Sequence, residues 1–155
     1  MKKILSILCV LLITITLTGC SAISTSGSEE RSTEKLLDLY VEAYVKNDLE
    51  LLRKVLPDFY IKEMNITQER MTTMYERNKK EFGDDFTVTY KINSKEKVSN
   101  EDLSKLNDNL KEYNVKATEC YKVNTTFTFS GSKFTDPDTY PIGYCKINGK
   151  WYIIE

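Results

Sequence analysis

From Thr33 to Asn47, polar side chains recur at Asp38, Glu42 and Lys46, four residues apart. Leu36, Leu37, Leu39, Tyr40, Val41, Ala43, Tyr44 and Val45 fill most of the remaining positions. The spacing predicts a helix with a narrow polar stripe, whose wide apolar surface more than one neighbour must cover. Asn47 and Glu50 fit an N-cap and its third-position partner for a short second helix. Leu49, Leu51, Leu52, Val55 and Leu56 give that helix an apolar side, and Pro57 is expected to end it. Thr67 is a candidate cap for a third helix, with Met71, Met74, Tyr75 and Phe82 toward the core and Gly83-Asp84 as its stop.

At Phe86 the period changes. Phe86, Val88, Tyr90 and Ile92 alternate with Thr87, Thr89, Lys91 and Asn93, which predicts a half-buried strand. Ser99 and Asp102 make a capping-box start for a helix over 100–113, with Leu103, Leu106, Leu110 and Tyr113 on one side. A second strand alternates from Ala117 through Tyr121, Val123, Thr125, Phe127 and Phe129. Gly131 and Asp136-Pro137-Asp138 read as turn residues, and Tyr140, Ile142 and Tyr144 as a third strand. Asn148-Gly149 is the signature of a two-residue hairpin turn, and it leads into a last strand carrying Trp151 and Ile153. Helices first, then strands in a meander, predict an α+β domain over 33–155, with helices on one face of an antiparallel sheet of about four strands.

The first twenty residues follow a different pattern. Lys2 and Lys3 precede an apolar run from Ile4 to Leu17, then Thr18, Gly19 and Cys20. A basic start, an apolar stretch too short to span a bilayer and small residues at its end predict a secretory signal over 1–19. Leu17-Thr18-Gly19-Cys20 resembles a bacterial lipobox. That resemblance implies cleavage after Gly19, a diacylglyceryl thioether on Cys20, and a membrane anchor at the extracytoplasmic face. Residues 20–32 are rich in Ser with Gly27, Glu29 and Glu30, and read as a flexible tether.

Charge then narrows the partners. Removing Lys2 and Lys3 from 22 basic residues leaves 20 against 23 acidic, a net of −3. A mildly acidic domain with no basic cluster argues against nucleic acid.

Leu39-Tyr40-Val41-Glu42-Ala43-Tyr44-Val45-Lys46-Asn47-Asp48 resembles the opening helix, polar break and second helix of nuclear transport factor 2-like domains. Gly149-Lys150-Trp151-Tyr152 resembles the final strand of the same superfamily. The resemblance implies a curved sheet wrapped round a long helix, leaving a conical pocket.

The candidate chemistry is sparse. Cys9 leaves with the signal and Cys20 is the anchor, so Cys120 and Cys145 remain as an exported pair. Hairpin pairing of their strands predicts a structural disulfide, with two free buried thiols or a redox pair as the alternatives. The chain contains no histidine. That excludes Ser-His and Cys-His nucleophile systems and histidine metal sites. No catalytic residue, metal ligand or cofactor is implied. Asp48 is the one acid matched by the resemblance, and its place at a helix junction reads as a cap.

The ten tyrosines exceed the six phenylalanines. Tyr40, Tyr44, Tyr90, Tyr121 and Tyr144, with Trp151, are candidates to line a pocket, or simply an aromatic core with hydroxyls at its rim. Trp151 is expected to cover the first helix near Tyr40 or Tyr44. The leading expectation is a non-enzymatic, membrane-tethered domain that binds a small ligand or an envelope protein. The alternatives are a small isomerase, cyclase or hydratase using a pocket carboxylate, and a structural or immunity-type lipoprotein.

Overall fold

A computed structural model describes residues 27–154. The expected signal over 1–19, Cys20 and the first part of the tether lie outside the described residues. Among the described residues, five α-helices and four strands follow in order: α1 Gly27–Lys46, α2 Leu49–Val55, α3 Asp58–Glu63, α4 Gln68–Phe82, β1 Thr87–Lys97, α5 Asn100–Leu110, β2 Ala117–Ser130, β3 Thr135–Ile147 and β4 Lys150–Ile154. A 3-10 turn, Lys111–Tyr113, follows α5. The protein is α+β, as the sequence pattern predicts.

Helix α1 starts at Gly27, so its first turns take residues assigned above to the tether. Thr33, Leu37, Tyr40 and Ala43 are buried along one side of it, and Leu36, Leu39, Val41, Tyr44 and Val45 pack partly around the core. Asn47 closes α1 in the left-handed conformation, φ 53°, a role asparagine fills with little strain. The amides of Asn47 and Asp48 bond back to the carbonyls of Tyr44 and Ala43. Asp48, not Asn47, is therefore the N-cap of α2, accepting from the Leu51 amide at 3.0 Å. Pro57 does not only end a helix. It also precedes α3, where its fixed φ suits a helix start and its missing N–H loses nothing. Thr67 caps α4 through the Arg70 amide at 3.2 Å, and Gly83 ends it with φ 117°.

The sheet is an antiparallel meander in the order β1-β2-β3-β4, although α5 interrupts the chain between β1 and β2. β1 runs on to Lys97, past the expected alternation, because a register shift between Ile92 and Ser94 breaks the two-residue period at Asn93. β3 also starts earlier than expected, at Thr135, so Asp136-Pro137-Asp138 lies in a strand rather than a turn. The strand tolerates Pro137 and Pro141 because β4 pairs only with Gly143–Ile147. The Ile147↔Lys150 pair closes a two-residue turn, so the backbone groups of odd-numbered β3 residues face β4 or the open side beyond it. Neither proline removes a bond from the ladder to β2.

One face of the sheet carries Tyr121, Val123, Thr125 and Phe127 of β2 opposite Tyr144, Ile142 and Tyr140 of β3. Helix α1 lies against it, with the Tyr40 ring 5.9 Å from Phe127. On the other face Cys120, Cys145 and Ile147 are buried as well, at the end where α5 contacts β2. The helices are therefore not confined to one face. The Asn107 side chain of α5 donates to the Ala117 carbonyl and accepts from its amide, at 2.9 and 2.7 Å, completing β2 where its pairing begins. Phe59 of α3 stacks on Tyr113 at 4.8 Å and joins the helical layer to the turn after α5.

At the opposite end, the β2–β3 turn locks onto the end of α4. The Lys133 amide donates to the Phe82 carbonyl at 2.9 Å, and the Ser132 amide donates to Asp85 at 3.0 Å. A Cβ on Gly131 would run into that Phe82 carbonyl, so this close approach requires glycine.

Candidate functional site

This locked end of the domain contains a cleft of 170 Å³ between α1, α4 and the sheet. Helix α1 contributes Tyr40, Val41 and Tyr44, which share one side at i, i+1 and i+4. The sheet contributes Val88 of β1, Phe127 and Phe129 of β2, and Tyr140 of β3. Their rings are packed against one another. Tyr140 stacks on Phe127 at 5.0 Å, and Tyr40 meets Tyr44 edge-on at 4.9 Å. Phe82 backs Phe129 from below at 5.7 Å. These ring pairs fix the walls, so the concavity is held by the core.

Helix α4 supplies the third side and the polar groups: Met74, Arg77 and Asn78. Asn78 is 9% exposed, yet its amide makes no hydrogen bond with any described residue. Nor are its polar atoms sealed from solvent, unlike the hydroxyl of Thr125. The amide therefore faces the cleft. Arg77, at the exposed rim, forms no ion pair among the described residues, whereas its neighbour Lys79 is held by Asp84 at 3.1 Å. No acid lines the cleft.

The structure divides the aromatic residues singled out from the sequence. Tyr40 and Tyr44 line the cleft, whereas Tyr90, Tyr121, Tyr144 and Trp151 do not. Tyr90 bridges β1 and α1, donating to Asp38 at 2.8 Å and to the Glu34 carbonyl at 3.1 Å. Burial, and then its bond to Asp38, push the Tyr90 hydroxyl well above the usual tyrosine range. Trp151 stacks on Tyr144 at 4.3 Å and lies 6.0 Å from Tyr121, so it does not cover the first helix at Tyr40 or Tyr44. Lys95 sits over the Tyr121 ring at 4.4 Å and donates to Thr33 at 2.9 Å. Beside them Lys97 pairs with Glu119 at 2.9 Å, and Tyr121 donates to the same carboxylate, also at 2.9 Å. These two bonds, Lys97 first, hold the Glu119 carboxyl below its usual range.

Cys120 and Cys145 are direct cross-strand partners joined by a disulfide, Cα–Cα 4.1 Å. Asp48 is occupied as a helix cap. No cluster of three or more metal-ligating side chains exists among the described residues, and no helix among them is long and apolar enough to cross a membrane.

The polar side of the cleft escaped sequence reading, although a signal was there. Asn78 lies four residues after Met74 and four before Phe82, an amide on the apolar stripe of its helix. In comparisons with known proteins, the sequence matches no protein family and no curated protein.

Proposed function

We propose that the chain is an exported lipoprotein, anchored through Cys20 at the extracytoplasmic face of the membrane, whose domain binds a small ligand without transforming it. The observation that carries this reading is the aromatic-walled cleft with, on one side, the amide of Asn78, which takes no hydrogen bond among the described residues. Ligand sites typically combine an apolar lining with a few polar groups that fix orientation. The position also suits the resemblance to nuclear transport factor 2-like domains, whose conical pocket opens between the first helix and the curved sheet. An isomerase or hydratase would need a carboxylate on the pocket wall, raised in pKa to act as a base. The cleft has none to offer.

The test is to purify the lipidated chain from its own membranes, beside a Val41→Trp variant that fills the cleft. Small molecules extracted from each are compared by mass spectrometry. A compound retained by the parent and lost in Val41→Trp supports the reading. Envelope proteins captured equally by both, with no small molecule, would move the function to a protein-binding surface.

A further inference from the structure

We propose that the ligand is a small monocarboxylic acid with a single ring-sized apolar body, its carboxylate received by Arg77 and Asn78. This rests on the cleft being the ligand site. The volume of the walled part sets the scale of the apolar body it can hold. A cavity of about 150 Å³ accepts one benzene ring, and the cleft measures 170 Å³. The body therefore lies among Tyr40, Phe127 and Tyr140, whose faces and edges suit a ring.

The head group follows from what is left over. Asn78 is 9% exposed, and its amide, open to the cleft, lacks a hydrogen-bond partner among the described residues. A ligand oxygen accepting from its Nδ2 supplies one. Arg77, the adjacent residue on α4, also lines the cleft and is not committed to Glu81 one turn on. An arginine preceding a glutamate by four residues is the weaker order for a helical ion pair. The planar fork of its guanidinium matches a carboxylate through two parallel bonds. No acid in the lining repels an anion there.

A single negative charge fits better than two. One arginine is the only cation in the lining, and it stands in the C-terminal half of α4, where the helix dipole opposes negative charge. A phosphate dianion would need more donors than these.

The inference is tested by isothermal titration calorimetry of the full lipidated chain in detergent, against a detergent blank. The probes are phenylacetate and its neutral isostere phenylacetamide. Phenylacetate is expected to bind at least about ten-fold more tightly, the scale of one charge-assisted pair. Arg77→Gln should erase that difference, Arg77→Lys should restore part of it, and Val41→Trp should abolish binding of both probes. Equal binding of the two probes, unmoved by Arg77→Gln, overturns the carboxylate assignment and leaves the cleft as a neutral site. Binding that survives Val41→Trp, or no binding of either probe, removes the cleft reading and this inference with it.

Discussion

Thr125 is fully buried at the centre of β2, and its hydroxyl takes no hydrogen bond among the described residues. Valine has nearly the same shape without the orphaned hydroxyl. Thr125→Val should therefore stabilise the domain by about 1 kcal/mol, read as a higher urea midpoint. Asp85 is the opposite case, a side chain fully employed at the surface. The Ser132 amide, and then its hydroxyl, hold the Asp85 carboxyl below the usual carboxylate range. A depressed folded value means stability that is present above the unfolded pKa of about 3.9 and lost as pH falls through the lower folded value. Unfolding midpoints measured below pH 4 should therefore decline, and Asp85→Asn should flatten that acid limb while leaving its other contributors in place. Residue identity alone made some of these roles legible. Asp48 and Thr67 could be read as caps because short oxygen-bearing side chains at helix starts have few other uses. Arg77 could not, because an arginine on a helix looks the same in sequence whether it faces solvent or a cleft.

Among the elements, Asn148-Gly149 predicted its hairpin because both residues must adopt positive φ, and they do, at 49° and 83°. Ser99 likewise marked the start of α5, accepting from the Asp102 amide at 3.1 Å. The misreadings share a physical cause: local period and breaker residues carry no knowledge of the neighbouring strand. The bulge at Asn93 ended the visible alternation while the pairing continued, and Pro137 read as a turn because nothing local says that one side of β3 is open. Helix α3 was missed because six residues are too few to show a helical period. The disulfide belongs to this scale too. It ties β2 to β3 at the end remote from their turn, across 25 residues of sequence. Replacing Cys120 and Cys145 together by alanine should lower stability by up to about 3.5 kcal/mol in the chain-entropy account. Denaturant titration of that variant beside the oxidised parent measures it. A loss well under 1 kcal/mol would mean that residual structure in the unfolded chain already keeps these two segments close.

For the whole molecule, the proposed anchor and the domain make separable predictions. Cys20→Ala should leave an unprocessed precursor or release the protein from the membrane fraction, as followed by fractionation and immunoblotting. Normal processing with unchanged retention would remove the lipoprotein reading and leave the cleft untouched. The prolines of β3 acquire their meaning at this scale. A strand with a bare side is a template on which another chain can grow, and the hazard rises with local concentration. Copies tethered to a single surface would meet one another in two dimensions, at far higher encounter rates than free protein. Pro137 and Pro141 leave gaps in the donor row that an incoming strand would have to match. Replacing both with threonine should leave the monomer folded, since no ladder bond depends on them. It should nevertheless produce concentration-dependent assemblies detectable by light scattering, which makes these two residues guards of solubility.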